Sequence, residues 1–377
     1  MDFDLPNEVK IVKRSTREFA EQVIAPLIDD MEQTGDFPAH VIKEMGDIGL
    51  LGLITPQEYG GSDLGFLART VAIQEISRIC AAIGCGLQVH HMEIAGILDW
   101  GTKEHKEKYL PLLTQGDYLG VVAVTEPTGG SDLMGMTSTA IAEGNEYVLN
   151  GRKCFITNSH YCGAPLLIIK TGDGPRGLSA FIVEKGTPGF SPGRHEHKVG
   201  LRGANTGELF LQNCHVPKSN LIGDEGQGMK IALKTISEVG RPGMAAVALG
   251  ILEACLEEAV KFARERVLYG KPIANLQAIQ WNIADIMGDL EACKLLCYRA
   301  SWLKDNEREC AVEMTLAKTY STEAAVRASK KALEIHGGCG TMMEYTVQRL
   351  FRDAMVCISA GGTTEIGKIV LSRAAIG

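Results

Sequence analysis

Neither a CxxC pair nor a Cys/His cluster with zinc spacing occurs in this sequence, although it carries 11 cysteines. They are scattered singly, several in helix-like apolar stretches (Cys80, Cys255, Cys293, Cys297). That distribution argues against both a disulfide framework and a structural zinc site. An odd number of thiols expected in apolar surroundings fits a reducing compartment. Basic charge is also lacking. A formal net charge of −8 argues against broad nucleic-acid affinity, which usually needs a basic face, while local basic sites for phosphates stay open. No apolar run reaches the roughly 18 residues of a membrane span. The opening MDFDLPNEVK is acidic and has no apolar h-region, so no signal peptide is expected and the cytoplasm is the default. Tandem repeats and low-complexity linkers are absent as well.

What is present is ordinary for a soluble globular protein: 377 residues, 45% apolar and 22% charged. That length exceeds one small core, so two or three packed units are expected. Residues 7 to 118 read as helical, with apolar spacing of three and four along 65–83 and 105–113. Near 119 the texture changes. YLGVVAVTEP, NEYVLNGRKCFITNS, APLLIIKTG, LSAFIVEKG and GELFLQNCHVP are short β-rich runs between glycine, proline and asparagine. After Gly228 helical periodicity returns. Leu249, Leu252, Leu256, Ala259, Val260 and Ala263 form one apolar stripe, and Ile283, Ile286, Met287, Leu290, Cys293 and Cys297 form another.

Candidate chemistry concentrates first in Val124-Thr125-Glu126-Pro127-Thr128-Gly129-Gly130-Ser131-Asp132. A β-run ends there in a loop with paired glycines, hydroxyls and acids. Such a loop can bring backbone N–H groups and hydroxyls close to a cofactor ring or phosphate. Read alone, it is more often a glycine-rich turn in which Asp132 satisfies local backbone.

This stretch resembles the TEP-x-x-GSD signature of the acyl-CoA dehydrogenase family. The similarity continues through Asn150-Gly151-Arg152-Lys153-Cys154-Phe155-Ile156-Thr157-Asn158, Gly200-Leu201-Arg202-Gly203 and Val216-Pro217. It extends to Arg264–Pro272, Gln277-Ala278-Ile279-Gln280, Gly337-Gly338-Cys339-Gly340 and Arg352-Asp353. The blocks fall in the family's order and cover the chain. The resemblance implies an α+β protein with an N-terminal α-helical domain (1–118), a central β-domain (119–228) and a C-terminal four-helix bundle (229–377). FAD would sit at their junction.

By that resemblance, Val124, Thr125 and Ser131 would hold the flavin ring and neighbouring substrate, and Phe155 and Thr157 would flank the ring. Arg266, Tyr269 and Gln277 would reach the FAD of another subunit, with Gly337 and Gly338 admitting its adenosine part. An arginine fork suits a pyrophosphate. Glu334 stands where the family usually has glutamine. Thr363 and Glu365 would complete the cofactor set. The implied partners are a CoA thioester, further copies of the chain in a homotetramer sharing FAD sites, and an electron-transferring flavoprotein. Taken singly, Arg266 and Arg241 read as surface charges and Gly337-Gly338 as a helix C-cap.

The family's reaction removes a proton beside the thioester carbonyl while a hydride leaves the β-carbon. It needs donors for the carbonyl oxygen and a carboxylate for the proton. The glutamate of most relatives falls here on Gly361, within Ile358-Ser359-Ala360-Gly361-Gly362-Thr363. The alternative position used by a minority falls on Gly240, just before Arg241. Gly361 keeps its backbone N–H for the thioester oxygen. Only the base is missing.

The helix expected to line the acyl pocket carries Cys85, Gln88, His91 and Met92 on one face, and these with Ser131, Gly240 and Arg241 make the expected substrate set. His91 is the candidate base, since an imidazole titrates near neutrality. Otherwise His90 and His91 are ordinary helix residues, one packed and one solvated. Glu93 and Asp99 are weaker candidates, and Glu238 lies on the wrong side of its helix from Gly240. The sequence resembles cyclohexene-carboxyl-CoA dehydrogenases in lacking the usual glutamate, which implies 1,4-elimination from a cyclic acyl-CoA. It is also similar to sulfinopropionyl-CoA desulfinases, non-redox lyases that need a cation for the sulfinate. Around Gln88 to Met92 the sequence offers no cation, and only Arg78 precedes that helix. A non-catalytic acyl-CoA-binding flavoprotein is the third reading.

Overall fold

A computed structural model describes residues 4–174 and 176–377, so the first three residues of the acidic opening segment lie outside the described residues. Helices occupy both ends of the chain and a β-domain lies between them. The N-terminal part contains α1 (Asn7–Phe19), α2 (Ile28–Thr34), α3 (His40–Asp47), α4 (Gly65–Ile79), α5 (Ala81–Trp100) and α6 (Lys103–Gln115). The periodicity of 65–83 predicts one helix, but the chain breaks it at Cys80, whose backbone is extended (φ −144°, ψ 99°). α4 and α5 then fold back so tightly that a Cβ on Gly84 would stand 1.9 Å from the Ser77 hydroxyl. Apolar residues on both sides of the break conceal it from a periodicity argument. Every residue of α5 from Ala81 to Ile97 is buried, as expected of a helix apolar on all sides.

The β-domain comprises β1 (Val122–Ala123), β2 (Thr139–Glu143), β3 (Glu146–Thr157), β4 (Leu166–Lys170), β5 (Leu178–Ile182), β6 (Phe190–His195), β7 (Thr206–Pro217) and β8 (Leu221–Ile222). Its sheet runs β6-β7-β3-β2-β4-β5-β8, with β1 parallel to β4. Of the run YLGVVAVTEP only β1 is strand; the rest is loop. The antiparallel β3–β7 pair shifts register between Leu149 and Gly151 and again between Lys153 and Ile156. Such bulges re-aim side chains, and the second one carries Phe155.

The C-terminal part begins with α7 (Gly228–Thr235), which passes through one π-turn (Ile236–Gly240) into α8 (Arg241–Glu265). A hairpin, β9 (Val267–Leu268) with β10 (Lys271–Pro272), leads to α9 (Gln277–Asp305), α10 (Ala311–His336), α11 (Thr346–Cys357) and α12 (Thr364–Ile376). α8 packs against α4, α5, α9, α10 and α11. Small residues permit this; a Cβ on Gly250 would lie 2.5 Å from the Gln74 carbonyl oxygen. Of the second apolar stripe, Met287 faces out, 50% exposed. The Asp305 carboxylate of α9 accepts from the Phe66 and Leu67 N–H groups at the start of α4 (2.6 and 2.9 Å), tying both helical regions together at a helix N-terminus.

Candidate active site

Beneath the 124–132 loop lies a buried ion pair that sequence reading missed. Lys153 and Glu126 are both fully buried, with Nζ 2.7 Å from Oε1. Glu126 also accepts from the Thr137 N–H and hydroxyl and the Ser138 N–H. Burial alone would raise this carboxyl, but the Lys153 charge and these donors hold it at about 2. Lys153 Nζ reaches the Val124 carbonyl (3.3 Å), and the Cys154 N–H donates to the Thr125 carbonyl (3.0 Å). Val124 and Thr125 are thereby fixed beside β3. Phe155 follows at the bulge with φ +57°, its ring 65% exposed, and Thr157 pairs with Thr206. Ser131 is exposed on the same loop. Asn158 anchors this edge to α5, donating to the Gly86 and Gly120 carbonyls, each at 3.0 Å.

Gly361 and Gly240 face each other. Gly361 has φ +67°, and a Cβ there would stand 3.2 Å from Met244 Cγ and 3.4 Å from the Gly240 carbonyl oxygen. A Cβ on Gly240 would meet Met92 Cε at 3.0 Å. Lys318 of α10 clamps the loop, Nζ donating to the Ile358 and Gly362 carbonyls at 2.7 Å each; burial pushes this ammonium down to about 8. Arg241 is buried rather than a surface charge, donating to the Thr315 hydroxyl (2.8 Å), with Nε 3.9 Å from a Cβ on Gly362. Thr363 caps α12, accepting from the Ile366 N–H, and Glu365 is exposed in its first turn. Glu238 is taken up by Lys304.

The α5 face divides. Met92 lies on Gly240. Gln88 packs against Gly243 of α8, where a Cβ would be 2.7 Å from its Oε1. Cys85 is buried, its thiol pushed up to about 11 by burial, in a neighbourhood shared with Lys198 and Asp353. Both histidines are fully buried, so neither is solvated. His90 accepts from the Gly120 N–H at Nδ1 and donates from Nε2 to the Leu51 carbonyl; burial lowers it to about 4. His91 Nε2 lies 3.0 Å from the Leu50 carbonyl, which makes it the donor and leaves Nδ1 a lone pair without a partner. Burial first, then Arg69 and His90, hold His91 well below the usual imidazole value.

Arg69 is the second residue sequence reading missed. It stands in the apolar run GFLARTVAI yet is fully buried, and Nη2 donates to the Gln88 and Val239 carbonyls (3.2 and 3.1 Å). It therefore supplies to this face the cation that the stretch from Gln88 to Met92 lacks. Arg78 does not, being held by Glu21 and Glu257.

The remaining cofactor candidates lie elsewhere. α8 has 25 residues, about 37 Å of helix at 1.5 Å per residue, with Arg241 at one end and Arg266 just past the other. There a groove of about 440 Å³ is lined by Phe262, Arg266, Leu268, Ile273, His336, Gly337 and Gly338, among others. Gly337 has φ +56°, and a Cβ on either glycine would enter open space. Arg266, Gln277 and Glu334 are exposed and Tyr269 is 94% exposed. The exposed ring and glycine loop by β3 and this groove with its free guanidinium each fit part of an FAD: one a flat ring, the other an adenosine diphosphate. One chain does not bring them together.

Models of the acyl-CoA dehydrogenase N-terminal, middle and C-terminal domains match residues 6–117, 121–214 and 226–376. An acyl-CoA dehydrogenase of Bacillus subtilis is 44% identical over 98% of both chains. An acryloyl-CoA reductase (NADH) of Anaerotignum propionicum is 42% identical over 99% of this chain and 95% of its own. The structure of butyryl-CoA dehydrogenase from Megasphaera elsdenii superposes with a TM-score of 0.98 at 34% identity, covering 100% of both. Among the described residues, no helix is long and apolar enough to cross a membrane.

Proposed function

The chain belongs to the acyl-CoA dehydrogenase family, FAD-dependent oxidoreductases acting on CH–CH bonds, and we propose that here the substrate proton is accepted away from the thioester loop. The observation that carries this reading is the contact of Gly361 with Gly240, neither of which has a side chain. Bound FAD would supply the acceptor for the hydride. The Gly361 N–H, on a loop that Lys318 holds in place, donates to the thioester oxygen and favours the enolate form. Val124, Thr125, Ser131, Phe155 and Thr157 would hold and orient the flavin ring. Thr363 and Glu365 complete that set.

His91 is the proposed base. Its Nε2–H is engaged by Leu50, so Nδ1 is the accepting atom. An imidazole lowered by burial is a weak base, so an acidic C–H suits it best. Conjugation with an unsaturated thioester provides that acidity, which is why a cyclic, cyclohexene-type acyl-CoA and 1,4-elimination fit this arrangement. Cys85, Gln88, Met92 and Arg241 shape the acyl site. Leu268, which lines the Arg266 groove, and Val267, Tyr269 and Trp281 are 44 to 94% exposed. They fit a homotetramer in which Arg266, Tyr269, Gln277, Glu334, Gly337 and Gly338 hold a neighbouring subunit's FAD. An electron-transferring flavoprotein is the proposed acceptor, and the cytoplasm the proposed location.

His91→Ala tests the assignment. It should retain FAD yet slow flavin reduction by cyclohexene-carboxyl-CoA about 10²–10⁴-fold, the usual worth of a general base. Unchanged reduction with full FAD content would overturn it.

A further inference from the structure

Arg69 is the strongest unexplained feature of the molecule. Its guanidinium is fully buried, Nε and Nη1 have no partner, and Nη2 touches only the carbonyls of Gln88 and Val239. The Phe66 ring lies 5.8 Å from its central carbon. No salt bridge among the described residues includes it, and burial is the single influence on its proton, pushing it down to about 9. Beside it, Gln88 Oε1 and His91 Nδ1 are also buried without partners. Trapped waters could satisfy the orphaned N–H groups, but water does not cancel a buried charge, and an uncompensated cation is the costlier of the two.

The cluster's position indicates what would cancel it. Val239, which takes one Arg69 bond, adjoins Gly240, and Gly243 packs directly on the guanidinium, where a Cβ would be 2.7 Å from Nη2. Arg69 thus lies within one helical turn of the Gly240–Gly361 contact. The side chain covering Gly240 from α5 is Met92, an unbranched thioether that can swing aside. We propose that Arg69 and Gln88 form a subsite for a carboxylate carried on the acyl group, remote from the thioester. This rests on the reading that the thioester binds at Gly361. One carboxylate oxygen would accept a charge-assisted bond from one of the two orphaned groups, Nε or Nη1, which point away from each other, and the Gln88 amide, turned about, would donate to the other oxygen. The substrate is then a half-thioester of a dicarboxylic acid, of which a cyclic, unsaturated one also meets the acidity that His91 requires.

The experiment measures binding by calorimetry and anaerobic flavin reduction for two series of CoA thioesters on the FAD-loaded protein. One series derives from dicarboxylic acids of increasing length, with cyclohexane dicarboxylic acids. The other consists of neutral monocarboxylic thioesters of matching length, with cyclohexene-carboxyl-CoA. Wild type should bind at least one dicarboxylic member about tenfold tighter than its neutral counterpart, the scale of a charge-assisted hydrogen bond. Arg69→Gln should abolish that preference while keeping neutral thioesters, and Arg69→Lys should retain part of it. A merely structural Arg69 predicts instead that Arg69→Gln weakens both series equally. That outcome overturns the proposal, as does a wild type with no dicarboxylic preference, even where neutral thioesters reduce the flavin and the dehydrogenase reading stands. If neither series binds, that reading fails and the subsite with it. Should Arg69→Gln not retain FAD, the wild-type preference and Gln88→Leu, which removes the second donor, decide.

Discussion

Lys153 and Arg69 are both buried completely, and they are treated in opposite ways. In the β-domain, Lys153 has Glu126 at 2.7 Å, and the acid in turn accepts from Thr137 and Ser138. Between the helical regions, Arg69 has two carbonyls and no acid. The first arrangement is closed: its charges and hydrogen bonds are met within the chain, and it holds up the 124–132 loop. The second is open. On the proposal above, a carboxylate of the substrate completes it.

Substitution should separate the two most strongly. Lys153→Met strands the buried Glu126 carboxylate and should cost about 3–5 kcal/mol in denaturant unfolding, with loss of FAD. Arg69→Met strands two carbonyls but no charge, so under about 3 kcal/mol is expected. Equal costs would break the comparison. Acid sharpens it. Glu126 is depressed from 4.5 to about 2 in the fold, so its stabilisation is complete above 4.5 and is lost as pH falls through that window. Thermal melts between those pH values should steepen for wild type and flatten in Lys153→Met/Glu126→Gln; an unchanged slope would show that the pair does not control it.

A third cation, Lys318, is intermediate: buried, without an acid, but with both loop carbonyls satisfied. Lys318→Met should cost about 1–3 kcal/mol and slow flavin reduction more than it weakens FAD binding. Equal effects on both would remove its role in positioning the thioester loop. The smallest expected effect is Gly361→Ala, about 1 kcal/mol by thermal unfolding for a side chain forced to φ +67°. A stabilised Gly361→Ala would mean that the loop relaxes freely.

The order of helices, β-domain and helices was legible from hydrophobic period alone, and the loop at 124–132 from its glycines. Three things were hidden for physical reasons. Arg69 sits among apolar neighbours at ordinary helical spacing, and nothing local says that α5 and α8 close over it. His90 and His91 point in different directions on α5, but because that helix is buried all round, neither reaches water. The cofactor residues at the two ends of α8 form one list in sequence and two separate places in space, since periodicity carries no information about distance between elements.

The most direct test of the account is anaerobic mixing of FAD-loaded protein with cyclohexene-carboxyl-CoA and, separately, butyryl-CoA, following the oxidised flavin band. Rapid bleaching by the cyclic thioester with butyryl-CoA inert is the predicted result, because Gly361 and Gly240 offer no acceptor for an ordinary α-proton. Rapid bleaching by butyryl-CoA, undiminished in His91→Ala, would contradict it and mean that a base acts beside the thioester after all.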